Sequence, residues 1–189
     1  MSSIFSDPFW RRGSTLLTGE TIDLDASGNP VAGTEIVGQV KAFQDVDPAG
    51  QGTRHSNKLV YCVAVRYTGS TVADASTVAG KRYALNAAQT EISALRTKAN
   101  ADASVPSGIL DEYLKGELRQ NDIVWLVVKG PADIVVTGSI TAGANVVQSS
   151  TAGTSVVAGA SGASATVDGT ALAAAASNKC RVNLHCNFI

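Results

Sequence analysis

Between residues 130 and 178 the chain carries only two charged side chains, Asp133 and Asp168, and Ala, Gly, Ser, Thr and Val fill 40 of these 49 positions. This stretch constrains the fold more tightly than any other feature. A segment so poor in charge and in large side chains is either a flexible low-complexity linker or a set of short strands with small residues. Two Val-Val pairs, at 146 and 147 and at 156 and 157, and Val167 recur between glycine-centred turns, which points to strands. The end of the chain supports that reading. In CRVNLHCNFI, Cys180, Val182, Leu184, Cys186 and Phe188 alternate with Arg181, Asn183, His185 and Asn187. Period-two alternation is the mark of a half-buried strand, here with the cysteines on the core side.

The rest of the chain divides by local pattern into an arm over 1–14, a β-rich region over 15–84, a helical segment over 85–120 and the small-residue β region over 121–189. In the β-rich region, TLLTGETIDLD precedes the turn cluster ASGNP, and EIVGQVKAF shows period two. The polar run at 45–57 reads as a loop. LVYCVAVRY, residues 59–67, is apolar on both alternating faces, which places it centrally in a sheet or between layers. Leu85, Ala88, Ile92, Leu95 and Ala99 recur at steps of three and four and predict an amphipathic helix. A second, shorter helix is expected over 109–118, with Ser107 as its cap. IVWLVV at 123–128 reads as a buried strand, followed by a turn at 129–132 and a return strand at 133–136. The expected fold is mainly β, a β-sandwich or small barrel of short strands with a central amphipathic helical segment, α+β overall.

Composition bounds the function. With 189 residues, 44% apolar and 16% charged, the chain can bury a core without disulfides and is too apolar for wholesale disorder. A net charge of −1 with dispersed Lys and Arg gives no track for nucleic acid. Apolar runs such as those at 123–128 and 171–176 are far below the ~20 residues of a membrane-spanning helix. The first fourteen residues place Asp7, Pro8 and Arg11 where a signal peptide would be apolar, so a protein made in the cytoplasm is expected. Three cysteines are an odd and sparse set, unlike a disulfide framework.

No catalytic, cofactor or metal constellation emerges. His185 and Cys186 alternate to opposite faces of one strand, and no C-x2-C pair completes a zinc site. Asp45, Asp47, His55 and Ser56 could be drawn as a Ser-His-Asp set, but there is no nucleophile elbow of the G-x-S-x-G kind. Asp45-Val-Asp47 before Gly50 lacks the oxygen spacing and closing Glu of a calcium loop. GASGAS, residues 159–164, has no following Lys-Ser/Thr and so no phosphate cradle. The expectation is a non-enzymatic protein that assembles with others. The arm stands out, because Phe5, Phe9 and Trp10 are half of all the Phe and Trp residues in the chain and Arg11 and Arg12 follow directly.

NDIVWLVVKGP (121–131), GSITAGANVV (138–147) and DGTALAAA (168–175) resemble segments of the head decoration, or capsid cement, proteins of tailed bacteriophages. The resemblance covers about a third of the chain. It implies a protein on the capsid exterior of the virion that binds the major capsid protein, reinforces the lattice and forms a homo-oligomer, with a trimer as the expected form. On that reading Phe5, Phe9 and Trp10 fill pockets on a neighbouring subunit, while Arg11 and Arg12 pair with carboxylates at the rim; the alternative is that the arm folds back over its own sheet. The alternatives are another virion structural part (tail tube, fibre or minor capsid subunit) or a bacterial surface β-module. No nucleic acid or membrane partner is expected.

Overall fold

The computed structural model describes residues 12–13, 15–16, 25–27, 36–47 and 54–185. Ten strands make up nearly all of its regular structure: β1 (Val40–Val46), β2 (Arg54–Tyr67), β3 (Arg82–Leu85), β4 (Glu91–Leu95), β5 (Ser107–Leu110), β6 (Ile123–Val135), β7 (Asn145–Gln148), β8 (Ser155–Val157), β9 (Val167–Ala171) and β10 (Lys179–Leu184). The one α-helix among the described residues is a short piece, α1 (Lys98–Asp102), closed at its start by a reciprocal capping box between Thr97 and Asn100.

Strand pairing closes five of these strands into a ring. β2 pairs with β6 antiparallel, β6 with β5, β5 with β3 and β3 with β4, and β4 returns to β2 through a short parallel contact at Arg66–Glu91 and Tyr67–Ile92. β2 from Val60 onward and β6 through Val128 are buried on both faces, and alternation sorts their side chains. Val63, Val65 and Tyr67 with Val124, Leu126 and Val128 fill the barrel interior, where they meet Tyr83, Leu85, Ile92 and Leu110. Leu114 and Leu118 also join this core, from the segment after β5. Val60, Cys62 and Ala64 with Ile123, Trp125 and Val127 point the other way, into a second core.

That second core forms because β6 outlasts the barrel. Beyond Lys129 it leaves β2 and pairs with β10, from Gly130–Leu184 to Val135–Lys179. β10 then pairs with β9, β9 with β7 and β7 with β8. Val136, just past β6, bridges Ser155 of β8. The inward residues of this half, Ile134, Val146, Ala171, Cys180, Val182 and Leu184, pack with the outer barrel face, where Trp125 meets Phe43 edge-on at 5.1 Å. Gly130 makes the handover possible. Its φ is +95°, and a Cβ there would collide with the Leu59 carbonyl oxygen.

Several expectations need correction. Residues 85–99 are not a helix. Leu85 and Ile92 lie opposite each other on β3 and β4, and the chain between them is a turn. Asn86 Oδ1 accepts from the backbone N–H of Thr90 and Glu91 at 2.9 and 3.2 Å, and Gln89 takes a left-handed φ of +58°. Apolar residues spaced to share a helical stripe instead share a barrel interior. The helix expected over 109–118 is likewise absent, because Ile109 and Leu110 belong to β5, paired with Val127 and Leu126 of β6. The turn expected at 129–132 is a bend within β6, so no separate return strand exists. The loop expected over 45–57 is invaded from both ends, by β1 through Val46 and by β2 from Arg54. In contrast, the valines of the small-residue tract do lie in β7, β8 and β9, and the final alternation forms β10, with residues 186–189 outside the described residues.

β10 carries a direct test. Leu184 is buried in the second core and His185, one residue on, is exposed. Leu184→Ala is expected to lower unfolding free energy by about 2–5 kcal/mol. His185→Ala is expected to leave it within about 0.5 kcal/mol. Denaturant unfolding of both variants checks the pair.

Candidate functional site

The described residues locate the root of the N-terminal arm. The Leu16 backbone N–H donates to the Ile123 carbonyl at 2.7 Å, and the Leu16 side chain joins the second core. Four residues earlier, the Arg12 guanidinium is buried. Its Nη2 lies 3.1 Å from Asp111 Oδ1 and 2.8 Å from Glu112 Oε2, and its carbon sits 5.1 Å over the Tyr113 ring. Between them, the Gly13 N–H donates to Asp111 Oδ2 at 2.7 Å. One carboxylate thus receives both the side chain of Arg12 and the backbone of the next residue.

The network continues away from the arm. Glu112 Oε1 pairs with Arg181 Nη1 of β10 at 3.0 Å, and the other arm of that guanidinium holds Asp45 of β1. Arg181 Nη1 also lies 3.4 Å from Asp133 of β6, and the Ser56 hydroxyl donates to Asp45 at 2.6 Å. Two arginines therefore tie together the arm root, the segment after β5, and strands β1, β2, β6 and β10. Four carboxylates face two cations in a largely buried setting, so the electrostatics are skewed toward negative. Burial pushes the Glu112 carboxyl above its ordinary range, the Arg12 charge opposes this, and the adjacent Asp111 adds to it. Burial alone would push the Arg12 guanidinium down, but Asp111 and Glu112 outweigh it and the group is held firmly protonated. Burial raises the Cys62 thiol, which makes it an inert core residue despite the nearby arginine.

This arrangement is a clamp. The Asp45 carboxylate is taken up by Ser56 and Arg181, and His55 points to solvent, so the Ser-His-Asp set does not assemble. Among the described residues no three His, Cys, Asp or Glu side chains converge to hold a metal ion. No helix among them is long and apolar enough to cross a membrane. Phe5, Phe9, Trp10 and Arg11 lie outside the described residues. Arg12 does pair with carboxylates, and these belong to its own chain.

Sequence reasoning missed Asp111 and Glu112 as partners of Arg12, and Arg181 as the second cation of the network, although a signal was present. The two charges of the small-residue tract are both engaged in ion pairs, Asp133 with Arg181 and Asp168 with Arg82 and Arg96. An isolated charge in an apolar stretch marks a partner elsewhere, because an unpaired buried charge costs several kcal/mol.

Two variants test the clamp. Arg12→Met leaves Asp111 and Glu112 buried without the arm cation and is expected to cost about 3–5 kcal/mol in denaturant unfolding. Glu112→Gln tests the skewed charge. A carboxyl whose folded-state pKa is raised favours folding while protonated, and that contribution is lost as pH rises through the folded value. The difference in Tm between Glu112→Gln and the parent protein should therefore shift in the variant's favour as pH rises from about 4.5, near the ordinary value, toward neutrality. A difference that is flat with pH would remove Glu112 as the strained member.

Neither known protein families nor curated proteins give a match to this sequence. Among solved structures, the chain is similar to the N base of the head fiber gp8.5 of bacteriophage phi29. The two share 17% identity with a TM-score of 0.40, over 67% of this chain and 94% of that one, a level that does not define a shared fold.

Proposed function

We propose that this chain is a non-enzymatic structural subunit of a tailed-bacteriophage head: a decoration, or cement, protein that binds the outer surface of the major capsid lattice and stabilises it. It is made in the host cytoplasm and acts in the virion as a homo-oligomer, with a trimer as the simplest form. The resemblance of residues 121–189 to such proteins supports the reading. In the structure, the three resembling segments supply the barrel part of β6 and most of β7 and β9. The turns at Ala142 and Gly143, at Ala158 and Gly159, and from Leu172 to Ala174 are exposed and uncharged.

One observation carries the proposal: the arm is rooted in a buried ion clamp. Arg12 and Gly13 are fixed to the segment after β5, and Leu16 to β6 and the second core. Residues 1–11, with Phe5, Phe9, Trp10 and Arg11, start from that anchored point. A tether transmits load only if its root holds, and a buried charge-assisted pairing holds better than an exposed one. Each large apolar side chain buried on a neighbour contributes roughly 1.5–3 kcal/mol, so three rings suffice for useful affinity at one lattice site. Binding only the assembled lattice stabilises it at every site, by about 2.7 kcal/mol each at a hundredfold excess over Kd.

Deleting residues 1–11, and sparing Arg12, tests this reading. The truncated protein is expected to keep its Tm within about 2 °C and to lose co-sedimentation with capsids that lack the protein. Unfolding of the truncated protein alone would assign the arm to its own core. Saturation of the full chain at a few copies per head would favour a fibre or minor capsid subunit over a lattice cement. A strict monomer by light scattering, both free and on capsids, would remove the trimer.

A further inference from the structure

A second ion cluster joins the barrel to the other half of the molecule, and its charges do not balance. Arg82 of β3 and Arg96, just past β4, both reach Asp168 of β9. Arg96 Nη1 lies 2.9 Å from Asp168 Oδ1, and Arg82 Nε lies 3.5 Å from Asp168 Oδ2. All three side chains are at most 2% exposed. Arg82 Nη1 donates to the Ser107 hydroxyl at 3.3 Å, a neutral partner. Among the described residues, Asp168 is the one carboxylate paired with either guanidinium. Two cations against one anion leave a surplus of one positive charge in the interior.

Arginine cannot relieve this by losing its proton, because its pKa stays above about 12 in proteins. A buried ion without a counter-charge costs several kcal/mol. The donors tell the same story as the charge. Arg82 Nη2 and Arg96 Nε are buried and meet no acceptor, while neutral polar atoms are also unsatisfied at Gln148 Oε1 and Ser155 Oγ, in the β7–β8 hairpin. That hairpin lies against both arginines through backbone hydrogen bonds, Arg82 N–H to the Gly153 carbonyl at 2.9 Å and Gly153 N–H to the Arg96 carbonyl at 2.8 Å. Burial pulls the Arg82 guanidinium down from its ordinary value, with Asp168 opposing and Arg96 reinforcing the shift.

We propose that the Arg82–Arg96–Asp168 cluster binds one small monovalent anion of the halide class, held by the two guanidiniums between the barrel and β7–β9. The surplus of a single charge sets the valence. Burial of all three side chains excludes anything bulky, which separates this site from surface binding of phosphate or sulfate. The anion completes the interface between the two halves, so its effect is on stability.

The test uses the full chain at constant ionic strength, with sodium gluconate replaced stepwise by sodium chloride or bromide. Tm is expected to rise with halide, by about 3–5 °C per tenfold increase once the site saturates. Arg96→Gln removes the surplus charge and should abolish the halide dependence. Should that variant fail to fold, crystals of the unaltered protein grown in bromide provide an independent measurement. An anomalous peak within hydrogen-bond reach of Arg82 and Arg96 supports the site. Tm independent of halide, or bromide found at the protein surface alone, would overturn it and leave water as the partner of these donors.

Discussion

Because both faces of β6 are buried along residues 123–128, this one strand has to serve two cores at once, and the rest of the molecule is arranged around that demand. Its odd positions meet the outer core and its even positions the barrel. Its hydrogen bonds are divided lengthwise as well: β2 and β5 take the first part, β10 the second. A strand that changes partners has to bend, and the bend falls at Gly130, where the backbone takes φ +95° and the Leu59 carbonyl leaves no room for a side chain. A larger residue there would break the handover rather than weaken a contact. The barrel and the small-residue half are therefore not two independently folding pieces joined by a linker, since each lacks a wall without β6.

This explains which parts of the fold were legible in the sequence. Strands with strict alternation, or with two apolar faces, could be read directly: LVYCVAVRY, IVWLVV and CRVNL all lie in strands. The valine pairs of the small-residue tract could be read too, since β7, β8 and β9 are built from them. The segment from Leu85 to Ala99 could not. Leu85 and Ile92 are seven apart, which two helical turns and a tight hairpin satisfy equally well, and only the ring closure through β2 decides between them. The continuity of β6 was hidden for a similar reason. Lys129-Gly130-Pro131 has turn chemistry, but a positive-φ glycine serves a bend within a strand as readily as a reversal.

The charged residues show the same division. Asp133 and Asp168 are the two charges of the small-residue tract, and both are ion-pair partners of arginines distant in sequence: Arg181, and Arg82 with Arg96. Local pattern has no access to such pairs, which span between 48 and 86 residues. What it does offer is the anomaly itself. A lone carboxylate in a stretch that packs as core needs compensation, so its presence predicts a buried cation even when its partner cannot be named.

The two clusters differ in sign, and the difference bears on what each can do. Around Arg12 the carboxylates outnumber the cations, and around Asp168 the cations outnumber the carboxylate. A carboxyl surplus can be eased by a proton, the direction in which burial shifts Glu112, while Arg12 Nε and Nη1 stay buried without an acceptor. A guanidinium surplus cannot be relieved that way and calls for a bound anion. The excess around Arg12 therefore responds to protons and the excess at the junction between the two halves does not, and the halide site proposed above rests on that difference.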